Sequence, residues 1–99
     1  MRLESDLVKL VLEYLELKRI FHWRNNTGAL TTSKGGFVRF GAIGSPDIFA
    51  LKSSKIYGIE CKSSKGKQSS NQLEWQRNFE KAGGVYILLK ELDVLFNYF

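Results

Sequence analysis

The sequence is poor in the residues that staple or break a fold. It has one cysteine, one histidine and one proline. A lone cysteine excludes an internal disulfide and a cysteine-built zinc site. The scarcity of proline, with aromatics at 13% and charged residues at 25%, excludes a mainly disordered chain. No long hydrophobic run is present. Residues 85–89 form the longest apolar stretch, far short of the ~18 residues of a membrane span. The first residues carry acids where a signal peptide has its apolar stretch. No repeat, low-complexity tract or Pro/Ser linker appears. A 99-residue chain with these features is expected to form one domain. It is expected to work in the cytosol or the nucleus, or, if phage-encoded, in a host cytosol.

What is abundant is positive charge, and its placement is uneven. The chain holds 15 Lys and Arg against 10 Asp and Glu. Residues 18–67 hold ten of the basic residues and only two acids, Asp47 and Glu60, for a net charge of +8. The rest of the chain is net −3. A basic middle attracts polyanions, nucleic acid first. A solvated surface with incidental lysine excess is the plainer alternative. The two isolated acids need a separate reason.

Residues 2–19 read as a helix, with Leu3, Leu7, Leu10, Tyr14 and Leu17 at helical spacing and Val8, Val11 and Leu15 widening the stripe. Residues 20–24 read as a short strand, and Asn25-Asn26-Thr27-Gly28 as a turn. A polar excursion over residues 31–36 leads into a strand at residues 37–40. Further strands are expected at residues 47–51 and 56–62, with Ser53-Ser54 turning between them. Residues 63–70 read as a loop and residues 71–82 as a second helix ended by Gly83-Gly84. Residues 85–89 read as a buried strand. Residues 91–99 fit a closing helix slightly better than an edge strand. The helix between the last two strands implies a crossover, which can make them parallel. The expected fold class is α/β (α+β): a mixed central sheet flanked by helices.

The chemistry concentrates in Gly44-Ser45-Pro46-Asp47 and, after twelve intervening residues, Glu60-Cys61-Lys62. On a strand Glu60 and Lys62 share a face while Cys61 points away. Cys61 can still offer its backbone carbonyl. Two carboxylates and a carbonyl make a hard-oxygen site suited to Mg²⁺ or Mn²⁺. Lys62 would stand beside it, placed to orient water or stabilise charge building on a phosphorane. The bland alternative is an Asp in a turn and an exposed Glu–Lys pair. Glu4 falls in the middle of the first helix's apolar arc, where a carboxylate needs a partner; alternatively it is a first-turn acid favoured by the helix dipole. Gln72 shares a face with Trp75 and Phe79 and also fits a capping box with Ser69; both can hold. Asn25, Asn26 and Gly28 suit phosphate contact or an ordinary turn. Lys65 and Lys67 could clamp a nucleic-acid backbone or simply be solvated. His22 reads as a partly buried strand aromatic, and Cys61 as a buried small residue with no partner base.

These residues together resemble the VRR-NUC family, the virus-type replication-repair nucleases of the PD-(D/E)xK restriction-endonuclease-like superfamily. The resemblance rests on Glu4, Asn26-x-Gly28, Gly44-Ser45-Pro46-Asp47, Glu60-Cys61-Lys62, and Ser69-x-x-Gln72-x-x-Trp75 followed by Gly83. It implies that Asp47 and Glu60 ligate metal with the Cys61 carbonyl, that Lys62 is the catalytic lysine, and that Glu4 is an additional acid near the metals. Gln72 would be the signature glutamine by the active site. It further implies a restriction-endonuclease-like fold and a homodimeric endonuclease that cleaves branched DNA such as Holliday junctions. Residues 29–39 match none of its motifs. Residues 94–99 are candidates for the dimer surface or for ordinary core. Two other readings stay open: a catalytically silent nucleic-acid-binding module, and the same active site acting on RNA.

Overall fold

The computed structural model describes residues 3–26 and 28–99. The expected helix start at Arg2 and the third turn residue, Thr27, lie outside the described residues. Helix α1 (Glu4–Leu17) buries Leu7, Val8, Val11 and Leu15 on one face. Full burial of each such side chain contributes roughly 2 kcal/mol. The helix ends where Arg19 turns left-handed, at φ 57°. There Ile20 N–H bonds the Leu15 carbonyl and Arg19 N–H the Glu16 carbonyl, each at 3.0 Å. This pattern terminates a helix by satisfying its last carbonyls.

Strands β1 (Phe21–Arg24), β4 (Ile48–Lys52), β5 (Lys55–Cys61) and β6 (Val85–Leu89) form one sheet in the order β1-β4-β5-β6. The β1/β4 and β4/β5 pairs are antiparallel, and β5/β6 is parallel. The parallel pair is joined through helix α2 (Ser70–Lys81), as the crossover predicts. Strand alternation sends Ile48, Ala50, Tyr57, Ile59 and Cys61 into the core beneath α1. The intervening Asp47, Phe49, Gly58 and Glu60 face α2, where Phe49 meets Trp75 and Phe79 at ring separations of 5.7 and 6.1 Å.

The chain closes with a 3-10 helix, Leu92–Asn97. Leu95 is fully buried, and Phe99 packs on Tyr57 at 4.9 Å. The C-terminal segment is therefore bound into the core, although Phe96 stays exposed. Among the described residues no helix is long and apolar enough to cross a membrane.

The structure adds a strand that the pattern did not suggest. Strand β2 (Gly28–Thr31) pairs antiparallel with β3 (Phe37–Phe40) as a separate hairpin. Four residues beginning with glycine carry too little alternation to signal a strand. The partner strand supplies the order.

Candidate active site

Two segments bring the acids together. Asp47 sits at the mouth of β4, at the end of a turn fixed by its neighbours. Gly44 adopts φ +84°, and a Cβ there would overlap the Asn71 carbonyl oxygen in α2. Only glycine allows both that conformation and that approach. Ser45 is buried and donates from Oγ to the Ala42 carbonyl at 2.6 Å. Asn25 uses both amide hydrogens on this turn, to Ser45 Oγ at 2.7 Å and the Pro46 carbonyl at 2.9 Å. Its backbone N–H bonds the Asp47 carbonyl at 2.7 Å. Asn25 thus positions Asp47. Asp47 Oδ2 then accepts the Cys61 backbone N–H at 2.8 Å, tying the residue that leads into β4 to the end of β5.

Glu60 and Lys62 leave the end of β5 on the same face. Glu60 is buried, at 3% exposure. Its Oε2 receives Gln72 Nε2 at 3.0 Å and lies 3.5 Å from Lys62 Nζ. Its Oε1 is buried and accepts no hydrogen bond. Gln72 meets both sequence expectations at once. Its Oε1 accepts the Ser69 N–H at 2.9 Å while its own N–H bonds Ser69 Oγ at 3.2 Å, completing the capping box. The cap and the hydrogen bond to Glu60 together hold the α2 N-terminus against the site.

Burial and mutual repulsion disfavour the ionised forms of the two carboxyls. Burial, then the nearby Asp47 charge, push the Glu60 carboxyl up to about 7, against the pull of Lys62. Burial also raises Asp47, helped by Glu4 and opposed by the Cys61 N–H, Lys62 and Arg24. Burial pushes the Cys61 thiol up as well, which leaves it inert as a nucleophile. Burial and the Glu60 charge raise Tyr86 to about 12, so its hydroxyl stays protonated.

Glu4 departs from the core-facing expectation. It is exposed in the first turn of α1, where the helix runs out past its buried stripe. Its charge nonetheless reaches Asp47 and Glu60. Asn26 and Gly28 are exposed beside the Asn25 turn, and Lys65 and Lys67 are exposed in the loop before α2. His22 Nδ1 lies 2.7 Å from the Ile20 carbonyl, a local strand contact away from the acids. Ser45 has no role of its own within the sequence motif, and Arg24 is not singled out by sequence. Their adjacency to Asp47 and Asn25 was the available signal.

Among the described residues no three His, Cys, Asp or Glu side chains converge as a complete ion cage. Two carboxylates do converge, and the buried, unpartnered Glu60 Oε1 has no protein donor. An orphaned buried carboxylate oxygen is costly unless a cation or proton meets it. The donor set is hard oxygen, which fits Mg²⁺ or Mn²⁺ with water completing the shell.

No family model matches this sequence, and neither does a curated protein. Among solved structures, the chain is similar to one described as a VRR_NUC domain, with a TM-score of 0.69 and 21% sequence identity. The alignment covers 97% of this chain and 96% of that one, so the likeness runs almost the full length of both. This chain has the fold of a VRR_NUC domain.

Proposed function

We propose that the protein is a metal-dependent endonuclease that hydrolyses DNA phosphodiester bonds, cutting branched DNA such as four-way junctions as a homodimer. The observation that carries this reading is the convergence of Asp47, Glu60, Lys62 and Gln72 at one strand end of a basic chain. Asp47 and Glu60, with the Cys61 carbonyl, would hold the cation, and Glu4 adds negative charge from the edge of the site. Bound there, a divalent cation supplies Lewis-acid stabilisation of the phosphoryl oxygens and a nucleophile at neutral pH.

The chain's own residues do the rest. The Cys61 N–H fixes the Asp47 carboxylate, and Gln72 fixes that of Glu60. Lys62 carries its ammonium at the edge of the pair, where it orients water and stabilises the charge of a pentavalent phosphorus. Lys65 and Lys67 in the next loop, and the turn at Asn26 and Gly28, suit contact with the phosphate backbone. The dimer reading draws support from the β2–β3 hairpin, which stands apart from the main sheet with Leu30 and Val38 exposed. A two-stranded hairpin is marginal alone in water, and a second copy would cover it. Two sites related by a two-fold axis would suit paired cuts in a junction.

Calorimetry with Mn²⁺ tests the site. Asp47→Ala should lose the binding seen in the native protein; unchanged Mn²⁺ affinity would refute the ligand assignment. Sedimentation velocity at micromolar concentration should give a dimer, and a monomer would remove the paired-cut reading.

A further inference from the structure

A second feature lies against the candidate site. An open cleft of about 340 Å³ is lined by Ile43, Asn71, Glu74, Trp75 and Asn78. Its two walls are the segments that build the active site. Ile43 precedes Gly44, whose turn delivers Asp47 and rests on the Asn71 carbonyl. Asn71 precedes Gln72, which holds Glu60. The cleft therefore adjoins the place where the phosphodiester would lie. It is at the small end of ligand clefts, which run ~300–1,000 Å³. That suits one planar group and excludes a duplex.

The lining chemistry narrows the occupant. Among the described residues no lysine or arginine lines the cleft, and a carboxylate at Glu74 would repel a phosphate, so the lining does not suit one. It offers an indole, an aliphatic side chain, two amides and a carboxylate. Trp75 is held by stacking on Phe79 at 4.7 Å and by its contact with Phe49, so the indole is rigid. The side chains of Asn71, Glu74 and Asn78 are exposed and make no hydrogen bond among the described residues. Aromatic support with free amides and a carboxylate is how proteins hold an unpaired base: the ring stacks, and the polar groups meet its edge. A carboxylate accepts from an exocyclic amino group, and an asparagine amide pairs with adenine or meets ring acceptors.

We infer that this cleft binds an unpaired nucleobase bearing an exocyclic amino group, of the strand whose phosphate lies at the Asp47–Glu60–Lys62 cluster. The inference rests on the nuclease reading for what occupies that cluster, and it narrows the substrate to strands with a base free of its partner near the cut.

The test is equilibrium binding in EDTA, where no metal-dependent cleavage intervenes. The probes are duplexes with a single bulged cytosine, adenine or thymine, or a bulged abasic site. The native protein should bind the cytosine and adenine bulges ~10-fold tighter than the abasic one, as stacking on an aromatic is worth ~1–3 kcal/mol per base. Thymine should fall between. Asn71→Ala with Asn78→Ala should remove most of the preference, and Glu74→Ala, which removes the acceptor, should bring cytosine and adenine down to thymine. Alanine is the better helix former at both exposed positions, so the fold survives the change. Equal affinity for base and abasic bulges overturns the inference, as does a preference that the double variant keeps. Cleavage without base preference would sink the cleft and spare the nuclease. Base preference without any cleavage would do the reverse.

Discussion

Replacing Glu60 by glutamine should stabilise the metal-free protein at alkaline pH while ending its function. The two side chains are nearly isosteric, and the new amide can still accept the Gln72 hydrogen bond. What changes is the charge. The Glu60 carboxyl titrates near 7 in the fold, against an ordinary value of 4.5. The folded state thus holds this proton more tightly than the unfolded state. Its contribution to stability is complete below about pH 4.5 and is lost as pH rises through about 7. At ~1.4 kcal/mol per tenfold change in proton affinity, the ceiling is ~3 kcal/mol. Water entry, and the loss of Lys62's nearest anion, bring the net gain for Glu60→Gln to ~1–2 kcal/mol at pH 8.5. For a domain of this size that corresponds to a melting temperature ~4–15 °C higher. Thermal melts in EDTA at pH 5 and pH 8.5 read the effect directly. Near pH 5 the two proteins should melt close together. Millimolar Mn²⁺ should raise the melting temperature of the native protein at pH 8.5 and leave Glu60→Gln unmoved. A Glu60→Gln protein that melts lower at pH 8.5, or whose offset is the same at both pH values, would refute the electrostatic account.

Other perturbations follow from the backbone. Gly44→Ala should cost ~1–3 kcal/mol in urea unfolding and weaken Mn²⁺ binding, because the added methyl displaces the α2 N-terminus from the Asp47 turn; a neutral result would show that the contact yields freely. Ser53 and Ser54 both hold positive φ, 53° and 65°, in the β4–β5 turn. Replacing the pair by Asn-Gly should stabilise by about 1 kcal/mol in the same assay without changing DNA affinity, since that dipeptide prefers two left-handed residues.

The parts of this fold that were legible in sequence are those where one local rule acts alone. The α1 stripe, the Ser69–Gln72 cap and the Gly83-Gly84 stop each follow from spacing or capping chemistry within a few residues. The parallel β5–β6 pair followed from the intervening helix. Strand β2 did not, because Gly28, Ala29, Leu30 and Thr31 owe their order to pairing with residues 37–40. At the site, the Asp47 and Glu60 pair was visible as two acids isolated in a basic stretch. By sequence Asn25 reads as a turn residue or a phosphate contact, whereas its amide holds Ser45 and Pro46, twenty and twenty-one residues away. Such a contact leaves no mark on local pattern. Glu4 shows the opposite failing. The helical wheel places it on the apolar face, but a wheel does not record where along its axis a helix leaves the sheet.

The central claim is that Lys62 and the Asp47–Glu60 pair form a phosphodiesterase site. The most direct test is cleavage of a labelled four-way DNA junction, a linear duplex and a single strand, in Mg²⁺, Mn²⁺ and EDTA, with the native protein beside Lys62→Ala. The account predicts metal-dependent cutting of the junction, the duplex spared, and a loss of at least ~10²-fold in Lys62→Ala, the scale of removing one charge-stabilising group. Salt-sensitive binding with no cutting of any substrate, or cutting that Lys62→Ala retains, would contradict it.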